Sequence, residues 1–167
     1  MRAECRPIVL IGPMGAGKTT IGALLAARLD RPFVDSDASI LTDLGETGAV
    51  IADRRGVEAL HQIELAVCLD VLGRGEALVF AAAESVVESA DARVLLKGAF
   101  TVWIDADPVA LMGRRDPADH RRMMDRAEFA ERRASREALL ASCTRVRVDT
   151  SEGSAEEAVT AILDCLT

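Results

Sequence analysis

The chain alternates short apolar runs with longer stretches in which apolar residues recur every three or four positions. Residues 7–12 (PIVLIG) read as a buried strand, and 19–29 as the helix that follows it. Further strands are predicted at 32–35 (PFVD), 77–82 (ALVFAA), 100–105 (FTVWID) and 145–149 (RVRVD). Between the second and third, Leu60, Ile63, Val67 and Val71 line one face of a helix over 56–72. Ser154 followed by Glu157 has the form of a capping box that opens a last helix. Strand–helix alternation over the whole length predicts an α/β fold, with a parallel sheet covered on both faces. The pattern contains no repeat, linker or low-complexity tract that would divide residues 1–167 into more than one domain.

Composition sharpens this picture at a few points. Half of the residues are hydrophobic but only 3% are aromatic, so the core must be built from Ala, Val, Leu and Ile. A net charge of −7 argues against a general nucleic-acid binder, which would carry a basic footprint. Cys5, Cys68, Cys143 and Cys165 have no metal-ligand spacing and read as reduced thiols of a cytoplasmic protein. Arg2, Glu4 and Arg6 interrupt any apolar leader, and no apolar run approaches the ~20 residues needed to span a membrane.

The junction of the first strand and helix carries the clearest chemistry. Gly12-Pro13-Met14-Gly15-Ala16-Gly17-Lys18-Thr19 fits the pattern G-x-x-x-x-G-K-[ST] and is followed by Thr20. The glycines let the backbone curl around an anion with its N–H groups inward, and the next helix turns its positive end to the same anion. Lys18 is expected at the β- and γ-phosphates of a nucleotide, and the Thr19 hydroxyl on Mg²⁺. A regulatory GTPase would need a guanine-reading Asn-Lys-x-Asp, and the chain has no asparagine. A motor or transporter ATPase would need adjacent acidic residues after an apolar strand, whereas Asp105 is followed by Ala106. A small-molecule or nucleotide kinase fits the length.

Asp35 and Asp37 follow the second strand. Strand alternation would put both on one side, beyond the carboxyl end of the sheet where ligands of such folds bind. One carboxylate can then order the water around Mg²⁺ while the other takes the proton of an attacking hydroxyl; alternatively, Asp37 caps a helix over 38–44. The charge-dense segment 114–134 reads either as a solvated surface helix or as a flap that carries arginines to a phosphate.

Taken in order, the loop GPMGAGKTTIG, Asp35-x-Asp37, Gly56, Glu64, the run Arg121-Arg122-Met123-Met124, Arg136 and Val148-Asp149-Thr150 resemble the shikimate kinases, in the nucleoside-monophosphate-kinase-like branch of P-loop folds. The resemblance implies a three-layer fold with five parallel strands, a monomer, ATP and Mg²⁺ as cofactors, and a lid over about 114–134. It also implies that Gly12, Met14, Gly15, Ala16, Gly17, Lys18, Thr19 and Thr20 hold the nucleotide phosphates. In the same reading Arg114 stacks on the adenine, and Lys18 and the lid arginine Arg121, for which Arg122 could substitute, stabilise the transferring phosphoryl. Asp35 with Thr19 serves the metal, and Asp37 meets the reacting hydroxyl.

The acceptor side departs from the family pattern. Arg136 matches one of two arginines that grip the acceptor's carboxylate, but the other has become His61, beside Leu60 where an aromatic is usual. A second aromatic position is Ala52. The glycine triplet that approaches the acceptor falls on Ala82-Ala83-Glu84, which adds Cβ atoms and a charge. An unpaired Glu84 ~4 Å from a substrate carboxylate would repel it by about 4 kcal/mol at an effective dielectric near 20, unless Arg136 neutralised it. His61, largely neutral at pH 7, cannot supply the bidentate grip of an arginine. The expected activity is therefore phosphoryl transfer from ATP to a hydroxyl of a small acceptor, with a neutral polyol or an amine-bearing alcohol better suited than shikimate. An authentic shikimate kinase and a non-catalytic ATP sensor are the alternatives.

Overall fold

The computed structural model describes residues 6–114 and 126–166. Five parallel strands are found: β1 (Ile8–Ile11), β2 (Phe33–Asp35), β3 (Val79–Ala81), β4 (Phe100–Asp105) and β5 (Val146–Asp149). They lie in the order β2-β3-β1-β4-β5. The helices are α1 (Lys18–Leu29), α2 (Ser36–Leu44), α3 (Gly48–Arg55), α4 (Val57–Gly73), α5 (Ala90–Gly98), α6 (Pro108–Gly113), α7 (Arg126–Cys143) and α8 (Ala155–Asp164). A 3-10 turn over Glu84–Glu88 follows β3. Each strand falls within the range predicted from the apolar runs, and the Ser154–Glu157 capping box closes in both directions at the start of α8.

The central strand β1 is apolar at every position because both of its faces are covered. Ile8 and Leu10 pack with Ile21, Leu25, Val159 and Ile162 of α1 and α8. Val9 and Ile11 face the opposite layer, with Cys68, Leu96 and Leu140 from α4, α5 and α7. The chain leaves β1, passes over β3 and lays β2 at the sheet edge, whereas β4 pairs on the other side of β1. The carboxyl end of β1 is therefore a topological switch point, where open α/β sheets bind ligands.

Two glycines set how closely this end is packed. A Cβ on Gly12 (φ +148°) would lie 1.9 Å from the backbone oxygen of Ile104, so the loop after β1 rests directly on β4. A Cβ on Gly22 would lie 2.4 Å from Cε2 of Phe33, so α1 approaches the start of β2. That approach brings Thr19, one turn earlier on α1, to Asp35 at the end of β2.

Candidate active site

The glycine-rich turn between β1 and α1 folds as its sequence predicts. Gly15 and Gly17 hold positive φ, and α1 starts at Lys18 with Gly17 as its cap. The Lys18 Nζ donates to the carbonyl oxygens of Gly12 (2.7 Å) and Pro13 (3.0 Å), so the amine lies across the loop that it belongs to. Desolvation holds its pKa below the usual lysine range, while the charges of Glu84, Asp37, Asp35 and Glu64, in that order, oppose the shift. Four carboxylates, from the ends of β2 and β3 and from α4, thus act on one amine.

The Thr19 hydroxyl donates to Asp35 Oδ2 at 2.7 Å. Asp35 Oδ1 meanwhile accepts from the backbone N–H groups of Asp37 (2.9 Å) and Ala38 (3.1 Å). Asp35 is therefore the cap of α2, a role that the sequence pattern had offered to Asp37. The helix begins at Ser36, two residues earlier than predicted. Asp37 sits in the first helical turn, so strand alternation does not extend to it. Its carboxylate nevertheless bears on Lys18 because the helix opens directly at the strand end.

The paired oxygens of Thr19 and Asp35 suit Mg²⁺. This hard cation keeps several waters and takes one or two protein oxygens together with substrate phosphates. Among the described residues no group of three or more His, Cys, Asp or Glu side chains could hold a metal ion.

On the acceptor side, Arg136 of α7 is 6% exposed. Its Nη1 lies 3.2 Å from Glu84 Oε2, while Nε (2.8 Å) and Nη2 (2.7 Å) both engage Glu88 Oε1. Glu84 is thus paired, and the full repulsion expected of an isolated charge does not apply. His61 Nδ1 stands 4.0 Å from the other Glu88 oxygen. Glu64, on α4, accepts a hydrogen bond from the Ser85 hydroxyl. Leu60 has a packing role: it joins Ile40 and Ile51 in a small apolar cluster against which Ala52 also rests. Ala83 caps the 3-10 turn that presents Glu84.

Arg114 follows α6, and its guanidinium donates to the backbone oxygens of Thr150 and Ser151. The Thr150 hydroxyl donates in turn to Ala16 O at 3.0 Å, tying this corner to the glycine-rich loop. Arg121 and Arg122 lie outside the described residues. Within the expected lid segment, residues 126–134 belong to α7, which runs on to Cys143.

Two features escaped the sequence reading. Glu88 lies four residues after Glu84, a spacing that would have flagged a shared face. Asp105, buried at the end of β4, receives Arg133 Nη2 at 2.8 Å and Arg147 Nη2 at 2.5 Å. Arg147 also stacks 4.2 Å over the ring of Trp103. No local pattern signals these pairings, because Arg133 comes from a segment whose charge reads as solvated surface.

A family model described as shikimate kinase matches residues 14–167. The chain belongs to the shikimate kinase family. It is 32% identical to a shikimate kinase of Symbiobacterium thermophilum over 165 residues, covering 95% of each chain. It is also 32% identical to a shikimate kinase of Acinetobacter baumannii (strain AYE) over 164 residues, 95% of this chain and 91% of that one. Among solved structures, the shikimate kinase from Acinetobacter baumannii in complex with shikimate superposes with a TM-score of 0.85 at 30% identity, covering 96% of this chain and 92% of that one. The shikimate kinase of Aquifex aeolicus gives 0.81 at 26% identity, over 96% and 95%. As a member of this family the chain is an ATP-dependent phosphotransferase that acts on a hydroxyl group. Among its described residues, no helix is long and apolar enough to cross a membrane.

Proposed function

We propose that this family member transfers the γ-phosphoryl of ATP to a hydroxyl of a small acceptor bound among Asp37, His61, Ala83, Glu84 and Arg136, and that the acceptor is not matched to shikimate's carboxylate. The observation that carries this reading is the double engagement of Arg136. A carboxylate acceptor that takes the place of Glu84 on Nη1 of that guanidinium forgoes a gross attraction of roughly 5 kcal/mol at 3.2 Å and an effective dielectric of about 20. The half-exposed Glu88 adds less, because solvent screens it.

In this mechanism Asp37 orients the acceptor hydroxyl and accepts its proton as the oxygen attacks the γ-phosphorus in line. The new P–O bond forms as the bond to the β,γ-bridging oxygen breaks, and ADP leaves. Lys18 swings from the carbonyls of Gly12 and Pro13 to the phosphates, and with Arg121 holds the charge that develops on the equatorial oxygens. The loop N–H groups from Met14 to Thr20 cradle the phosphate chain, and Arg114 lies against the adenine. Thr19 and Asp35 would hold Mg²⁺, which would supply positive charge to the nucleotide phosphates. A lid over about 114–134, as the family resemblance implies, would exclude water.

The test is ADP release with shikimate, inositols and aminocyclitols as acceptors. Turnover that requires ATP, Mg²⁺ and a non-anionic acceptor is expected, with Asp37→Asn losing ~10²–10⁴-fold in kcat. Turnover in Asp37→Asn equal to wild type would remove the proposed base. A second reading is that shikimate itself is the acceptor. It is favoured by the retained Arg136 and by relatives named shikimate kinase that align over 95% of this chain. Efficient turnover of shikimate alone would establish that second reading.

A further inference from the structure

Three carboxylates cluster on the acceptor side. Asp37 and Glu84 bear on Lys18, the amine that the phosphates require, Glu84 and Glu88 pair with Arg136, and His61 Nδ1 stands 4.0 Å from Glu88. Arg136 has all three of its guanidinium nitrogens within reach of carboxylates: Nη1 on Glu84, Nε and Nη2 on Glu88. Both acids stand on the 3-10 turn that follows β3, spaced four residues apart, and so reach the same helix α7. The Glu84 side chain is 18% exposed, pairs with Arg136 and also exerts the largest of the charge effects on Lys18.

From this arrangement we infer that Glu84 and Glu88 are specificity-determining residues, which occupy Arg136 against anionic acceptors and select an alcohol that carries an ammonium group. The inference rests on the phosphotransfer reading for where the acceptor lies. An ammonium group brings three donors and no acceptor. It can therefore share Glu84 or Glu88 with Arg136 without breaking either pair, and it places a positive charge beside two carboxylates. A carboxylate that approaches Arg136 sits beside Glu84 and Glu88, a like-charge juxtaposition that costs several kcal/mol whether or not it displaces Glu84 from Nη1. A neutral polyol meets neither the gain nor the cost.

A matched series isolates the charge on one ring: shikimate, its methyl ester and its aminomethyl analogue. Binding of each to the full chain is measured by calorimetry with a non-hydrolysable ATP analogue and Mg²⁺ present. The wild type is expected to bind the aminomethyl form tightest and the carboxylate weakest, separated by about tenfold or more. In E84Q/E88Q the carboxylate should gain by a similar factor and the aminomethyl form should lose. A merely structural role for the acids would weaken all three alike. E84Q alone, which keeps the shape of the side chain, provides the same comparison if the double variant fails to fold. Tightest binding of the carboxylate to the wild type, an unchanged order in the variants, or binding of none of the three overturns the inference. ADP release decides the phosphotransfer reading separately, so either can fail while the other stands.

Discussion

Replacing Gly12 by alanine tests how the phosphate loop is seated on the sheet. The new Cβ would lie 1.9 Å from the Ile104 carbonyl oxygen and 3.0 Å from its carbon. Both are backbone atoms of a fully buried strand, so no side chain can swing aside. Restoring ordinary contact at about 3.4 Å requires β1 and β4 to part locally by roughly 1.5 Å, and overpacking of this kind costs about 1–3 kcal/mol. The backbone at φ +148° adds a second penalty of ~1–3 kcal/mol for a residue with a side chain. The sum, about 2–6 kcal/mol, is a large share of a typical stability of ~5–15 kcal/mol. At roughly 2–4 °C per kcal/mol for a chain of this size, Tm should fall by about 10 °C.

Gly45→Ala is the control. Gly45 also has positive φ (+69°), but nothing lies within 4 Å of its would-be Cβ. That variant measures the cost of alanine at a positive φ with no collision, and Gly12→Ala, whose φ lies outside the αL region and whose Cβ meets backbone, should lower the urea midpoint by more. If Gly12→Ala lost no more stability than Gly45→Ala, the close seating of the loop on β4 would be wrong.

Asp35→Asn separates two roles of one side chain: asparagine caps helices about as well as aspartate, so the urea midpoint should barely move, while the Mg²⁺ concentration for half-maximal ADP release rises about 10–100-fold. An unchanged Mg²⁺ requirement would confine Asp35 to capping α2. Burial pushes the Cys68 thiol up to about 12, and the Cys143 thiol also titrates above its usual range, chiefly by burial. A thiolate-specific reagent at pH 8 should therefore modify the exposed Cys165 in the native protein and reach Cys68 and Cys143 only in urea. The sign for stability follows: unfolded Cys68 ionises at the ordinary thiol value and the folded one does not, so raising the pH above that value favours unfolding. Labelling of Cys68 in the native protein, read by mass spectrometry of the tryptic peptides, would contradict its burial.

The parts of the fold that could be read in advance are those with a short-range cause. β1 reveals itself as an unbroken apolar run because both faces are covered, and the loop after it because glycine alone tolerates its dihedrals. The capping box at Ser154 is a local hydrogen-bond exchange, visible at a spacing of three. The charge of Asp37 acts on Lys18, but strand alternation is not what brings it there. The chain turns helical at Ser36 because Asp35 captures two backbone N–H groups, and period-two reasoning cannot anticipate where a cap will act. The Arg136–Glu84 pair spans 52 residues and Asp105–Arg133 spans 28. Charge density alone does not say which arginine of a polar segment turns inward, so these pairings became legible only in three dimensions.

Trp103, the one tryptophan of the chain, is buried with its ring edge against Gly12 and the Arg147 guanidinium over its face. Selective excitation of the indole therefore observes a single fluorophore at the base of the nucleotide cradle. Its emission offers a label-free optical titration of ligand binding in the unmodified protein, including acceptors that are bound but never phosphorylated.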